Sequence, residues 1–324
     1  MERLDAFMAR AAAAYYAGGE GIGRDFTTAP EMSQAFGECL GLWAAVTWQA
    51  MGAPGRVVLA ELGPGRGTLM ADALRAVDQM VPEFGRALAL HLVETSPALR
   101  AAQAAKLGPR VAGWHAAVDG LPPGPAIILA NEFFDALPIR QFIRRAEGWR
   151  ERYVLGGAFV EQPCDHMEPA PDGSIREVGE AARDVALALG ARLAAQGGAL
   201  LALDYGPAES GLGDTLQALR DNAACDPLSE PGTADITAHV DFAALAAAGR
   251  AAGAAAHGPL PMGVFLQRLG LMARSAMLAQ SAPRQAGTIL AAAQRLVAPE
   301  GMGRLFKALV LAHPALPTPT GFEA

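Results

Sequence analysis

The stretch Arg56–Met70, RVVLAELGPGRGTLM, constrains the fold of this chain more than any other. Val57 to Ala60 is a short apolar run of the kind that forms a strand buried on both faces in a parallel sheet. Glu61 ends the run, and Gly63, Pro64, Gly65, Arg66 and Gly67 follow as a tight turn. Thr68 then opens a segment, Leu69 to Val77, whose apolar residues recur at helical spacing. Glycines let backbone amides approach a ligand, and the first turn of a helix offers N–H groups without partners. The stretch therefore predicts strand, ligand-binding turn and helix at the carboxyl edge of an α/β sheet.

The order of residues in that turn separates two ligand classes. A dinucleotide site wants G-x-G-x-x-G and an acidic residue about 20 residues on. Here Thr68 stands at the third glycine's place, and the next acidic strand end, Glu94, lies well beyond that distance. Acidic-x-G-x-G-x-G is instead similar to the first motif of S-adenosylmethionine-dependent methyltransferases, in which the strand-end carboxylate, here Glu61, stands near the cationic methionine part of the cofactor.

The chain around this motif is globular. It has 324 residues, 52% hydrophobic and 18% charged, enough for a large core in one large domain or one and a half. A net charge of −7 argues against nucleic acid as the main partner, because phosphate binding needs a basic face. Cys39, Cys164 and Cys225 form no metal-ligand spacing and suit a reducing compartment. No run approaches 18 apolar residues, so no spanning helix is expected. Residues 1–20 have neither the layout of a signal peptide nor the Arg-rich, acid-poor character of a mitochondrial presequence; the expected location is cytoplasmic.

Four regions are expected: an N-terminal helical region (1–55), a doubly wound, mostly parallel core (56–204), a largely helical insertion or cap (205–299), and a last core strand with a tail (300–324). Leu4 to Tyr16 reads as a helix broken by Gly18, Gly19, Gly21 and Gly23, and Met32 to Met51 as a second helix. Between them, Asp25, Thr27, Thr28 and Glu31 offer several hydrogen bonds, for which a plain helix cap is the simplest account. Ala89 to Glu94 is a second buried strand, and Ser96-Pro97 starts the helix after it. Glu94 at that strand's end suits the two hydroxyls of a ribose. Val111 to His115 reads as a third strand that would bring Trp114 and Asp119 near an adenine. Ala126 to Ala130 is the fourth, leading into Asn131-Glu132-Phe133-Phe134-Asp135-Ala136-Leu137-Pro138. Two acids and an amide in an apolar loop at a strand's carboxyl end are costly unless they face a ligand or each other. Gln141 to Val160 reads as an added β-hairpin, Ile175 to Gln196 as a helix, Ala199 to Asp204 as a buried strand, and Leu305 to Ala312 as the last strand. His239, between Asp235 and Asp241, reads as a structural, hydrogen-bonded histidine, because those spacings do not gather both acids on one helix face.

Taken together, DFTTAPEMSQAFGE, ELGPGRGTLM, LVETSPALR, ANEFFDALPIRQF, DYG, GDTLQA, GTADITAHVDF and MGRLFKAL resemble the MidA-like methyltransferases over nearly the whole chain, Tyr15 to Phe322. The eukaryotic members are mitochondrial complex I assembly factors. The resemblance implies a class I, Rossmann-like methyltransferase fold, S-adenosylmethionine as cofactor, and an arginine of a partner protein as substrate. In the mitochondrial members it further implies a complex I subunit, dimethylated symmetrically. By position it assigns Glu61, Gly63, Gly65 and Gly67 to the first cofactor motif, with Pro64 inside the same turn, and Glu94 to the ribose. Asn131 and Glu132 match the loop after the fourth strand, where Glu132 is the expected principal carboxylate, Asp135 a second acid and Asn131 an orienting group. Members often carry a His-Pro pair and a Gly before the tyrosines, where this chain has Ala11 to Ala14 before Tyr15-Tyr16. Two rivals are a small-molecule methyltransferase with a deep closed pocket and an assembly factor that keeps the fold without catalysis; an intact glycine turn counts against the second.

Overall fold

The computed structural model describes residues 1–18, 27–165 and 169–323; Asp25 lies outside them. Among the described residues a seven-stranded sheet forms the centre. Its strands, in chain order, are β1 (Val57–Leu62), β2 (Leu88–Val93), β3 (Val111–His115), β4 (Ala126–Asn131), β5 (Gly198–Tyr205), β6 (Ala255–Pro261) and β7 (Phe306–Ala312). Their spatial order is β6-β7-β5-β4-β1-β2-β3. Neighbours from β5 to β3 are parallel, while β7 runs antiparallel to both β5 and β6. The order reverses direction beside β1, which is where a doubly wound sheet opens a crevice at its carboxyl edge.

The longer helices are α1 (Leu4–Gly18), α2 (Gln34–Ala50), α3 (Thr68–Met80), α4 (Pro97–Leu107), α5 (Glu180–Gln196), α6 (Phe242–Ala251), α7 (Met262–Arg268), α8 (Leu271–Ser281) and α9 (Ala286–Val297). Every residue of β1 and β4 is buried, as is all of β5 except Tyr205, so these strands read as unbroken apolar runs. One face of the sheet packs under α2, α3 and α7 to α9, with Phe36, Trp43, Phe84 and Phe265 fully enclosed. The other packs under α5 and α6 through Leu189, Leu193, Phe242 and Leu245. A third cluster joins Leu4, Phe7 and Met8 of α1 to Ile139, Val154 and Ile236. It ties α1 to two small sheets: one containing Arg140–Arg145 and Gly148–Leu155, the other Gln217–Arg220, Ala223–Cys225 and Asp235–Thr237.

Two expectations need correction. Residues 205–299 do not form one helical cap. The first part, to about Asp241, packs at the carboxyl edge beside the loop after β4; Ala238 N–H donates to the Asp135 carbonyl there at 3.0 Å. The middle supplies α6 and β6 to the core itself, and α7 to α9 cover a sheet face because Met262, Phe265, Leu266 and Leu296 are fully buried against it. Ile175 to Gln196 is likewise not one helix. Ile175–Val178 is a strand paired with Arg140–Ile143, and α5 starts only after Gly179. The hairpin expected over 141–160 is present and lies within a five-stranded sheet.

Candidate active site

Three central strands carry a buried polar residue at or one residue before their carboxyl ends. These are Glu61 on β1, Asn131 on β4 and Asp204 on β5, with exposures of 3%, 8% and 0%. The glycine turn follows β1: Gly63, Gly65 and Gly67 all have left-handed φ (60°, 51° and 75°), and Gly67 N–H closes the turn onto the Pro64 carbonyl at 2.8 Å. A cleft of about 470 Å³, within the range of small-molecule sites, is lined by Glu61, Gly63, Pro64, Gly65, Glu94 and Glu132 among others.

Glu61 Oε2 is buried without a hydrogen-bond partner among the described residues. Burial, reinforced by the charge of Glu94, pushes its carboxyl up to about 8. An orphaned buried acceptor is costly and marks a place where a ligand donor fits. Glu94 Oε1 accepts the Ser96 N–H at 2.8 Å and Oε2 the Gln103 amide at 3.3 Å. Gln103, itself fully buried, also donates to the Gly65 carbonyl at 2.7 Å, so one amide joins Glu94 to the glycine turn.

The loop after β4 is shaped by Asp204. Its Oδ2 accepts the N–H groups of Phe133, Phe134 and Asp135 at 3.2, 2.9 and 3.2 Å, and its Oδ1 that of Tyr205 at 2.9 Å. Burial and the charges of Asp135 and Glu132 push this carboxyl up, while the N–H donors pull it down. Asp204→Ala would leave these donors without their acceptor and is expected to lower stability by at least ~2 kcal/mol. An unchanged denaturation midpoint would show that the loop keeps its shape without it.

The loop so held presents Glu132 and Asp135. Glu132 adopts φ 49°, a left-handed conformation that a non-glycine residue holds only under constraint, as at functional sites. Its Oε1 accepts the Ala29 N–H and the Asn131 amide, each at 3.2 Å. Burial pushes Glu132 up to about 7 against the pull of these two donors, and Asp235 adds to the push. Asp135 is 7% exposed, with its Oδ1 unpartnered among the described residues, and burial together with Glu132 lifts it to about 7. Asn131 Oδ1 is likewise buried and unpartnered. None of Glu132, Asp135 or Asp204 pairs with a Lys, Arg or His among the described residues.

The structure thus gathers Glu61, Gly63, Pro64, Gly65, Glu94, Asn131 and Glu132 along one cleft. Gly67 caps α3 beside it, and Asp135 stands behind the loop wall. Trp114 and Asp119 are not in the lining. The Trp114 indole donates to Gln103 at 2.8 Å, supporting from behind the amide that Glu94 accepts, and Asp119 borders a separate small cavity; Ala116, Ala117 and Val118 line the cleft instead.

Thr27 to Glu31 is more than a cap. The Thr28 side chain makes no capping bond, whereas Glu31 accepts from the Thr68 hydroxyl at 2.6 Å and from Arg66 at 2.8 Å, pinning the segment onto the glycine turn. Tyr16 was not foreseen: it lines the cleft, and its hydroxyl donates to Asp235 at 2.8 Å. Neither Tyr16 nor Gln103 carries a sequence signal, because each acts through contacts that only the folded chain makes. The His239 ring packs edge-on to Tyr205, 5.5 Å between centroids, and Asp241 caps α6.

The S-adenosyl-L-methionine-dependent methyltransferase family model matches residues 39–260. The chain belongs to this family. The orphaned Glu61 oxygen and the left-handed glycine turn at the carboxyl edge fit S-adenosylmethionine. Among named relatives, protein arginine methyltransferase NDUFAF7, mitochondrial, of Danio rerio is 34% identical over 89% of this chain and 76% of its own length. The Homo sapiens protein of that name is 33% identical over 89% of this chain and 73% of its own. A COG1565 superfamily member from Burkholderia thailandensis, solved with S-adenosyl-homocysteine bound, superposes with a TM-score of 0.80 at 28% identity, covering 99% of this chain and 88% of its own. Among the described residues no helix is long and apolar enough to cross a membrane.

Proposed function

We propose that this methyltransferase acts on an arginine side chain of a partner polypeptide, with Glu132 as the principal carboxylate, Asp135 as the second acid and Asn131 as an orienting group. The observation that carries this reading is Glu132 in the cleft wall with Asp135 and Asp204 buried behind it, none of the three paired with a cationic side chain among the described residues. Such a set is unfavourable until a cation enters, and a guanidinium presents planar, paired N–H donors to carboxylates. The names of the relatives point the same way.

When bound, S-adenosylmethionine supplies an electrophilic methyl group on a sulfonium. The residues after β4 have the remaining tasks. A guanidinium with a pKa above ~12 is a poor nucleophile. Hydrogen bonds to Glu132 would fix its plane and direct one nitrogen into the cleft, with Asp135 behind the loop wall as the second acid. The ionised Glu132 would then take the proton that the nitrogen loses as it becomes substituted. Asn131 holds Glu132 through its amide. Glu61 and Glu94, with the glycine turn, would hold the methionine and ribose ends of the cofactor. On the resemblance to the MidA-like family, the proposal extends to symmetric dimethylation and to a respiratory complex I subunit as partner.

The test is transfer of labelled methyl from the cofactor to proteins of a cell lysate, followed by fragment mass spectrometry. Label on arginine guanidinium nitrogens is expected, one methyl on each terminal nitrogen. Label confined to lysine or to a small metabolite would overturn the substrate class.

A further inference from the structure

A second and larger cavity, about 750 Å³, lies on the far side of the loop after β4. The two spaces share walls. Phe133, Ala136, Leu137 and Pro138 face the cofactor cleft, whereas Phe134 and Ile139 face the second cavity; α5 gives Val185 to the first and Ala182 and Arg183 to the second. Tyr205 lies behind the second cavity's wall, its ring against His239 and its hydroxyl donating to Thr237 at 2.8 Å.

The cavity's charge is opposite to that of the acid cluster. Arg183, Arg304 and Lys307 line it from α5, the turn before β7 and β7 itself, and none forms an ion pair among the described residues. Among the described residues Lys307 donates to the carbonyls of Arg304 and Leu305, at 2.6 and 2.9 Å. The acids in the same wall are already engaged. Glu177 accepts from Gln141, from the Thr215 N–H and hydroxyl and from Leu216 N–H; Asp241 accepts from Ala244 N–H and the Ser210 hydroxyl. Arg183 and Arg304 are exposed and, with Lys307, give this cavity a positive lining on a chain of net charge −7, a local field that favours an anion from outside. Two leucines exposed at the same wall, Leu212 (44%) and Leu305 (49%), suit an apolar as well as an anionic occupant.

We propose that this cavity seats acidic side chains of the polypeptide substrate, flanking the arginine that enters the acid cluster across the loop. The proposal rests on the polypeptide-arginine reading above. Cations spread over three elements with leucines between them match a chain bearing more than one carboxylate better than a single small anion, which would be held by convergent N–H groups. The arrangement also sorts substrate: a basic flank would meet Arg183, Arg304 and Lys307 and be repelled.

The test uses the full-length protein with S-adenosyl-homocysteine and fluorescent peptides carrying a central arginine, with Glu/Asp flanks or Gln/Asn flanks. Fluorescence anisotropy should show the acid-flanked peptide binding about fivefold to tenfold more tightly, the advantage shrinking as salt rises. Arg183→Gln with Arg304→Gln should abolish that advantage while leaving the neutral peptide and S-adenosyl-homocysteine unaffected, and Arg183→Glu with Arg304→Glu should transfer it to a Lys-flanked peptide. No acid preference in the parent protein, a preference that survives the double variant, or inorganic phosphate competing with full effect at micromolar concentration would overturn the proposal. An acid preference lost in the double variant supports the cavity even if no arginine becomes labelled on turnover; that outcome would count against the arginine reading alone.

Discussion

Replacing Glu132 by glutamine is expected to reduce methyl transfer at least ~100-fold while leaving S-adenosyl-homocysteine affinity within about twofold. The substitution keeps the shape of the side chain and an oxygen for the Ala29 N–H, but removes the charge and the proton acceptor. Isothermal titration and single-turnover transfer to an arginine peptide separate the two effects. Near-normal turnover would sink the assignment of Glu132 as principal carboxylate. The pH profile of the parent enzyme carries the same information. With Glu132 and Asp135 both lifted to about 7, kcat/KM should rise with pH below about 7 and level off above it, since the ionised forms hold and deprotonate the guanidinium. The two acids influence each other, so this limb belongs to the pair.

Stability should change in the opposite sense. A carboxyl whose folded-state value is raised binds its proton more tightly folded than unfolded. Its contribution therefore favours the fold at low pH and is lost as pH rises from the unfolded value, near ~4.3, through about 7. Glu132→Gln removes that penalty, so the variant should be at least as stable as the parent at pH 8. A variant that is inactive yet more stable is the behaviour of a residue kept for chemistry.

The parts of this architecture legible in the sequence are those where one local pattern does one job. β1, β4 and β5 are buried on both faces and show as continuous apolar runs, and the turn after β1 shows its glycines. β6 was hidden because Ala-Ala-His-Gly-Pro-Leu-Pro has no such run. It is an edge strand with a register shift between His257 and Leu260, where proline is tolerated. Ile175–Val178 carries Arg and Glu, which suit a helix equally well, and only pairing with Arg140–Ile143 makes it a strand. Of the site, the residues adjoining strand ends could be read because strand ends converge in an α/β sheet. Tyr16 with Asp235, Gln103 with Gly65, and Ala29 with Glu132 could not, because each pair joins distant chain segments through a single hydrogen bond. Glu31 resembled a cap for a related reason: its position beside a helix start was visible, and its bonds to Arg66 and Thr68 were not.

Gly65→Val is expected to weaken S-adenosylmethionine binding by about 100-fold, the second large effect this site predicts. Gly65 has φ 51°, between Gly63 and Gly67 in the same left-handed region, and it lines the cleft. A β-branched residue there is strained by roughly 1–3 kcal/mol, and relief of that strain would turn the Pro64–Gly67 backbone away from the ligand. The Gly65 carbonyl also accepts from Gln103, so a reoriented turn would disturb Glu94 through the shared amide. Backbone strain alone does not account for such a loss, and Gly52→Val separates the two. Gly52 has φ 84° with nothing within 4 Å of an added Cβ, and it lies outside the cleft lining, so that variant should lose stability yet bind the cofactor normally. Calorimetry giving equal cofactor affinity for Gly65→Val and the parent would remove the turn from the site; equal losses in both variants would show that binding follows stability instead of the geometry of the turn.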